Sequence, residues 1–293
     1  MNGFITLLPT LLIGALALIM FGLGLSLTVG DFRRLLGHPK PVLLALVLQA
    51  LVLPAVCYGL IVALDVSPVY AVGLMLLAAS PGGVSANLYS HLFGGNVAMN
   101  ISLTAINTVL SIVSLPLIGN FAINTFARTG QVVPMQTGKV IEVIVIVLVP
   151  VLIGMFVKSR APGFAARSEK PMKIFSMVVL AALALIAMAK EWNALSTSFA
   201  SIGLAVIAFN ALSLGLGYYV PRMMGLDKPN AIAIGYEIGI HNSTLAIFVA
   251  VSVLGDFQLM VPAAIYSASM YVLATAFGFL VLGRQPAAVP ARA

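Results

Sequence analysis

Nine stretches of this chain are apolar for about as long as a helix needs to cross a bilayer: 4–29, 41–64, 70–93, 96–118, 139–157, 172–189, 199–220, 230–254 and 259–282. Roughly twenty residues at 1.5 Å rise span the hydrocarbon layer. No water reaches that layer to satisfy backbone N–H and C=O groups, and a helix answers this by bonding every group within its own segment. The expected fold class is therefore all-α, a polytopic membrane protein with about nine transmembrane helices. Composition agrees, with 61% hydrophobic and 8% charged residues in 293 and a mean hydropathy of +1.12. The single cysteine, Cys57, excludes an internal disulfide and a cysteine-based metal site, and reads as a small buried apolar residue. Stretch 4–29 has no basic region followed by a cleavage site, so it is expected to be a retained helix rather than a signal peptide.

The net charge of +7 does not point to a nucleic-acid partner, because the basic residues sit in short loops between apolar stretches and not in one patch. They report sidedness instead. With nine spans, one side receives Arg33, Arg34, Lys40, Lys158, Arg160, Arg167, Lys170, Lys173, Arg222, Lys228, Arg284 and Arg292, which is 12 of the 15 basic residues. The other side receives Arg128, Lys139 and Lys190. Basic loops stay cytoplasmic, so the expectation is a multi-pass protein of the cell membrane with the N-terminus outside and the C-terminus inside.

The basic loop 158–171, with Pro162, Gly163 and Pro171, divides the chain. Residues 1–157 form a first half plus a connecting helix, 158–171 a cytoplasmic linker, 172–282 a second half and 283–293 a cytoplasmic tail. The third and eighth spans then correspond with opposite orientation, and each is interrupted near its middle. One carries Ser80-Pro81-Gly82-Gly83-Val84-Ser85-Ala86-Asn87, the other Glu237 to Ser243. Paired broken helices in matching places are the sequence pointer to a secondary transporter built from inverted repeats.

Glu237 puts a carboxylate near mid-membrane, at a cost on the order of 3 kcal/mol, so it must face a cavity or a partner. Pro81 and its neighbouring glycines free backbone groups, and Asn87, Asn100 and Thr104 add hard oxygens, the last two sharing one helix face. A carboxylate with amide, hydroxyl and carbonyl oxygens is the donor set expected of a Na⁺ cage, by the hard-ligand logic of Ca²⁺ and Mg²⁺. Gln49 is another amide at depth. His241, four residues from Glu237, reads either as a packed hydrogen-bonding group or as a participant in proton movement. Glu142 is expected to pair locally with Lys139.

Several segments resemble the bile acid:sodium symporter family: residues 20–27 with Asp31-Phe32-Arg33-Arg34, Gln49 through Pro54, Ser80-Pro81-Gly82-Gly83 through Asn87, Gly95-Asn96-Val97-Ala98, and Glu237 through Asn242. The resemblance covers nearly the whole chain. It implies a core domain with two crossing discontinuous helices, a mobile panel domain, two Na⁺ sites and an amphipathic anionic substrate, in a nine-helix form similar to the animal members. By position it implies Asn87, Thr104 and Glu237 at a first sodium site, with Ala86 and Asn100 where serine is usual. A second site draws on Gln49, Glu237 and the carbonyls of Ile238 and Ile240, with His241 where glutamine is usual. On the substrate side it points to Val84, where threonine is common, to Ser85, Asn242 and Ser243, and to Ser269 and Tyr271 in a segment that often carries tryptophan, histidine and asparagine.

The expected function is Na⁺-coupled symport of an organic anion such as a bile acid or a small carboxylate, by alternating access, with the lipid bilayer as surroundings. A proton-coupled carrier on the same fold is the alternative. An intramembrane enzyme is remote, since the chain has no His-Glu-x-x-His and no Gly-x-Ser-x-Gly.

Overall fold

A computed structural model describes residues 2–127, 135, 137–168, 171–172, 174–175, 178, 182 and 192–283. In order, the helices are α1 Asn2–Ser26, α2 Val29–Leu36, α3 Pro39–Val47, α4 Leu53–Ala63, α5 Pro68–Ala79, α6 Ala86–Leu92, α7 Val97–Phe126, α8 Thr137–Arg160, α9 Trp192–Met223, α10 Lys228–Gly239, α11 Ser243–Phe248 and α12 Val261–Phe277. A π-helical turn, Leu48–Val52, joins α3 to α4. It lies just ahead of Pro54, whose ring crowds the carbonyl of the preceding turn, and the wider turn makes room.

Among the described residues, five helices are long and apolar enough to cross a membrane: Pro39–Ala63, Val97–Phe126, Gly138–Arg160, Ile202–Met223 and Gln258–Leu282. A sixth results if the pair Ile13–Ser26 and Val29–Leu36, bent by 65°, counts as one. Stretches 70–93 and 230–254 each arrive as two short helices on either side of a break. Stretch 172–189 falls mostly outside the described residues. The segment holding Arg33 and Arg34 was expected to be a loop and is α2 instead. Thr28 caps it reciprocally: Thr28 Oγ1 accepts from the Asp31 N–H at 3.3 Å, and Asp31 Oδ2 accepts from the Thr28 N–H at 2.7 Å.

Three basic residues tie together loops that the charge distribution put on one side. Lys158 donates to the Ser26 carbonyl at the end of α1, Lys40 to Met224 O at 2.7 Å, and Lys228 to Leu282 O at 3.0 Å. These are carbonyls at or just beyond the C-terminal ends of helices, where a cation also meets the negative pole of the dipole.

Polar and apolar faces are arranged for lipid outside and polarity within. On α7, Val109, Val113, Leu117 and Phe121 are exposed at intervals of four, whereas Asn100, Thr104, Asn107 and Ser111 are buried on the other face. The two interrupted helices are innermost. Residues 70–79 of α5, 231–239 of α10 and all of α11 are buried, with α4, α7, α9 and α12 packed around them. Irregular backbone at membrane depth is tolerable only in such a protein-lined position.

Helices α1 and α8 pack chiefly on each other, at a point where no side chain fits. A Cβ on Gly24 would collide with the Val151 carbonyl and come within 2.9 Å of Gly154 Cα, and one on Gly154 would collide with Phe21 O. Gly24→Leu is expected to lower the melting temperature of the detergent-purified protein, since forced overpacking costs about 1–3 kcal/mol. An unchanged melting curve would show that this pair can separate freely.

Candidate functional site: a buried carboxylate at crossing helix breaks

Two helices stop at the same place. α5 ends at Ala79 with Ser80 extended, and α10 ends at Gly239 with Ile240 extended. The freed backbone then pairs across the gap: the Gly83 N–H donates to Ile240 O at 2.6 Å and the Asn242 N–H to Pro81 O at 2.8 Å. This makes an isolated antiparallel bridge between Gly82 and His241. Beyond the bridge the chain restarts as α6 and as α11, where Asn242 Oδ1 caps the new helix by accepting from the Leu245 N–H at 3.1 Å.

Glu237, on the last turn of α10, is fully buried against this crossing. Thr104 Oγ1 donates to its Oε2 at 2.6 Å and Asn107 Nδ2 to its Oε1 at 3.0 Å, and Oε1 also lies against Gly82. No cationic side chain pairs with it in the salt bridges of the described residues, which are Arg34–Asp31 and the expected Lys139–Glu142 pair.

The surrounding amides share a pattern. Asn100 Nδ2 donates to Ala233 O at 2.7 Å, and Gln49 Nε2 donates to Ser80 O at 2.9 Å and Ala78 O at 3.3 Å. Carbonyl partners force each NH₂ into that position, so the amide orientation follows from chemistry. The oxygens are what remain: Gln49 Oε1, Asn87 Oδ1, Asn100 Oδ1 and Asn107 Oδ1 are all buried with no hydrogen-bond partner. Buried acceptors left bare cost about 1–3 kcal/mol each. The bare Asn107 oxygen beside an unpaired carboxylate, with further bare oxygens on the segments around the crossing, is the donor chemistry of a hard cation.

The expected ligands thus fall into two groups. Asn100 and Thr104 gather with Glu237 on α7 and α10. Gln49 and His241 meet on a different atom, the Ser80 carbonyl, which takes His241 Nδ1 at 3.2 Å as well as the Gln49 amide. His241 Nδ1 is therefore its protonated nitrogen. Its Nε2 is buried and unpartnered, and the ring stacks on Phe209 at 5.5 Å and meets Tyr266 edge-on at 5.4 Å. Ile240 O already accepts from Gly83, and a carbonyl has a second lone pair to offer; Ile238 is fully buried.

The expected substrate residues also divide. Val84, Ser85, Ser269 and Tyr271 are partly exposed, and the Ser85 and Tyr271 hydroxyls lie 3.3 Å apart. Asn242 and Ser243 are buried, and Ser269 Oγ turns back to Tyr266 O at 3.3 Å.

Two functional-looking groups were missed in the sequence. Asn107 could have been found as the next inward position of the stripe through Asn100 and Thr104. Asn210 donates to Gly239 O at 2.8 Å and to Tyr266 OH at 2.7 Å, closing the end of α10, and no local pattern announces it.

The profile of the sodium bile acid symporter family matches residues 13–198. Sodium-dependent transporter YocS of Bacillus subtilis is 30% identical over 253 residues, 86% of this chain and 77% of that protein. The chain belongs to the sodium bile acid symporter family. A probable sodium/metabolite cotransporter of Arabidopsis thaliana chloroplasts is 28% identical over 269 residues, covering 90% of this chain and 65% of the relative. The human ileal sodium/bile acid cotransporter is 26% identical over 246 residues, 83% of this chain and 70% of its own length. As a member of this family the chain is a sodium-dependent membrane transporter and not an enzyme.

Proposed function

We propose that this protein couples the entry of Na⁺ to the transport of an organic anion, a bile acid or a small carboxylate, by alternating access. The observation that carries the reading is the unpaired Glu237 carboxylate where the two breaks cross, with a bare amide oxygen on Asn107 against it and others buried on neighbouring segments. One Na⁺ position draws on Glu237, Thr104, Asn87 and Asn100. A second draws on Gln49, Glu237, His241 and the carbonyls of Ile238 and Ile240. The anion binds on the accessible side of the crossing, at Val84, Ser85, Ser269 and Tyr271, near the start of α6, with Asn242 and Ser243 at the start of α11. Helix N-termini favour negative charge there. Helices α1 and α8, which pack mainly on each other, act as the panel against which the remaining helices rock.

The unpartnered Nε2 of His241 favours one rival, a proton-coupled organic-anion carrier on the same fold. A single comparison separates the two. Melting of the purified protein in NaCl, KCl and choline chloride at matched ionic strength is expected to show a rise specific to sodium. Uptake of cholate or acetate into proteoliposomes is expected to follow an inward sodium gradient. Uptake driven by a pH gradient in sodium-free buffer would favour the rival.

A further inference from the structure

Asn107 does two things at once. Its Nδ2 holds Glu237 Oε1 at 3.0 Å, and its Oδ1 is buried with no partner, on a side chain that is 1% exposed. Holding the carboxylate explains the donor half of the amide. It leaves the oxygen unexplained, since a bare acceptor next to a carboxylate gains nothing until a cation or another donor reaches it.

Position narrows what that cation is. Asn100 and Asn107 are seven residues apart on α7, which is about 10 Å along the axis. Oxygens around a hard cation such as Ca²⁺ stand about 2.3–2.6 Å from the ion, so one ion takes both amides only if the side chains lean fully toward each other, whereas each NH₂ is held on a different partner, Ala233 O and Glu237 Oε1. Glu237 lies between them, with Oε2 on Thr104 and Oε1 on Asn107. Oε1 is the oxygen against Gly82, whose backbone is bridged to His241.

We propose that Asn107 Oδ1 is a ligand of a coupling Na⁺ on the Oε1 side of Glu237, distinct from the position served by Asn100. The proposal rests on the sodium reading above. Asn107 thus fixes the carboxylate with its donor and completes the ion's shell with its acceptor.

The test is a sodium titration of thermal stability on the full-length, detergent-purified protein, with Asn107→Leu, Asn107→Ser and Glu237→Gln beside the wild type. For both Asn107 variants the half-saturating sodium concentration is expected to rise at least tenfold, whatever happens to the melting temperature in choline. A purely structural Asn107 would lower the melting temperature in choline and leave half-saturation unchanged, which overturns the proposal. If Asn107→Leu does not fold, Asn107→Ser decides, because its short hydroxyl cannot reach the amide's position. Loss of the sodium response in Glu237→Gln with unchanged half-saturation at Asn107 sinks the ligand role alone. A wild type with no sodium-specific response sinks both the sodium reading and this one.

Discussion

Glu237→Gln is expected to abolish sodium-driven uptake while leaving the protein folded. The hydrogen bonds around the carboxylate explain why folding survives. Asn107 Nδ2 can only donate, so the glutamine oxygen must face it. The glutamine NH₂ then faces Thr104 Oγ1, whose own proton has an alternative acceptor in the Asn100 carbonyl at 3.0 Å. One orientation of the amide therefore satisfies every partner. What the change removes is the formal negative charge, and no other acidic side chain lies on the described parts of α5, α6, α7, α10 or α11. A sodium ion bound only by the folded state stabilises it by roughly 2.7 kcal/mol at a hundred times its dissociation constant. That increment is expected to vanish from melting curves in NaCl, leaving the curve in choline close to wild type. Wild-type sodium-dependent uptake in the variant would refute the role given to Glu237.

Much of this was legible in the sequence because a bilayer leaves so few options. Five apolar stretches became single spanning helices, and the two interrupted ones broke inside the expected segments, one at Ser80-Pro81-Gly82-Gly83 and the other just after Glu237, at Ile240–Asn242. The carboxylate in an apolar run and the i, i+4 pair Asn100–Thr104 pointed to the candidate site, since polarity at such depth has few uses. What stayed hidden depends on contacts that span the chain. The Gly82–His241 bridge joins segments about 160 positions apart, and Asn210 reaches Tyr266 across 56. Nothing local encodes which two breaks will meet or in what register.

Other misses were local and have physical reasons. The kink between α1 and α2 comes from Thr28 and Asp31 capping each other, a signal of two polar residues that a reading tuned to apolar runs passes over as loop. Asn107 was passed over because Asn100 and Thr104 already formed a face, although i+7 continues that face. The meeting of the Gln49 and His241 donors on the Ser80 carbonyl also lay beyond the sequence. It is set by which carbonyls the Gln49 and His241 donors find after the chain has crossed.

The largest loss of folded protein is expected from the smallest change at the crossing, Gly82→Ala. A single methyl there would collide with the Glu237 carboxylate and come within 2.7 Å of the Glu237 carbonyl oxygen. Neither can yield easily. The carboxylate is pinned from the other side by Thr104 and Asn107, and the carbonyl belongs to the last turn of α10. Room can be made only by parting the two breaks, which strains or breaks the bonds from Gly83 to Ile240 and from Asn242 to Pro81. Overpacking costs about 1–3 kcal/mol, and each backbone group left unpaired in a site without water adds about 1–3 kcal/mol. The total is a large share of the roughly 5–15 kcal/mol that holds a typical domain together. Gly59→Ala supplies the control: on α4 its Cβ would meet nothing within 4 Å, so it is expected to melt at or slightly above wild type. If Gly82→Ala instead melts with Gly59→Ala, the carboxylate has somewhere to go. The close approach of Gly82 to Glu237 would then be a tolerance of the site rather than the contact that fixes it.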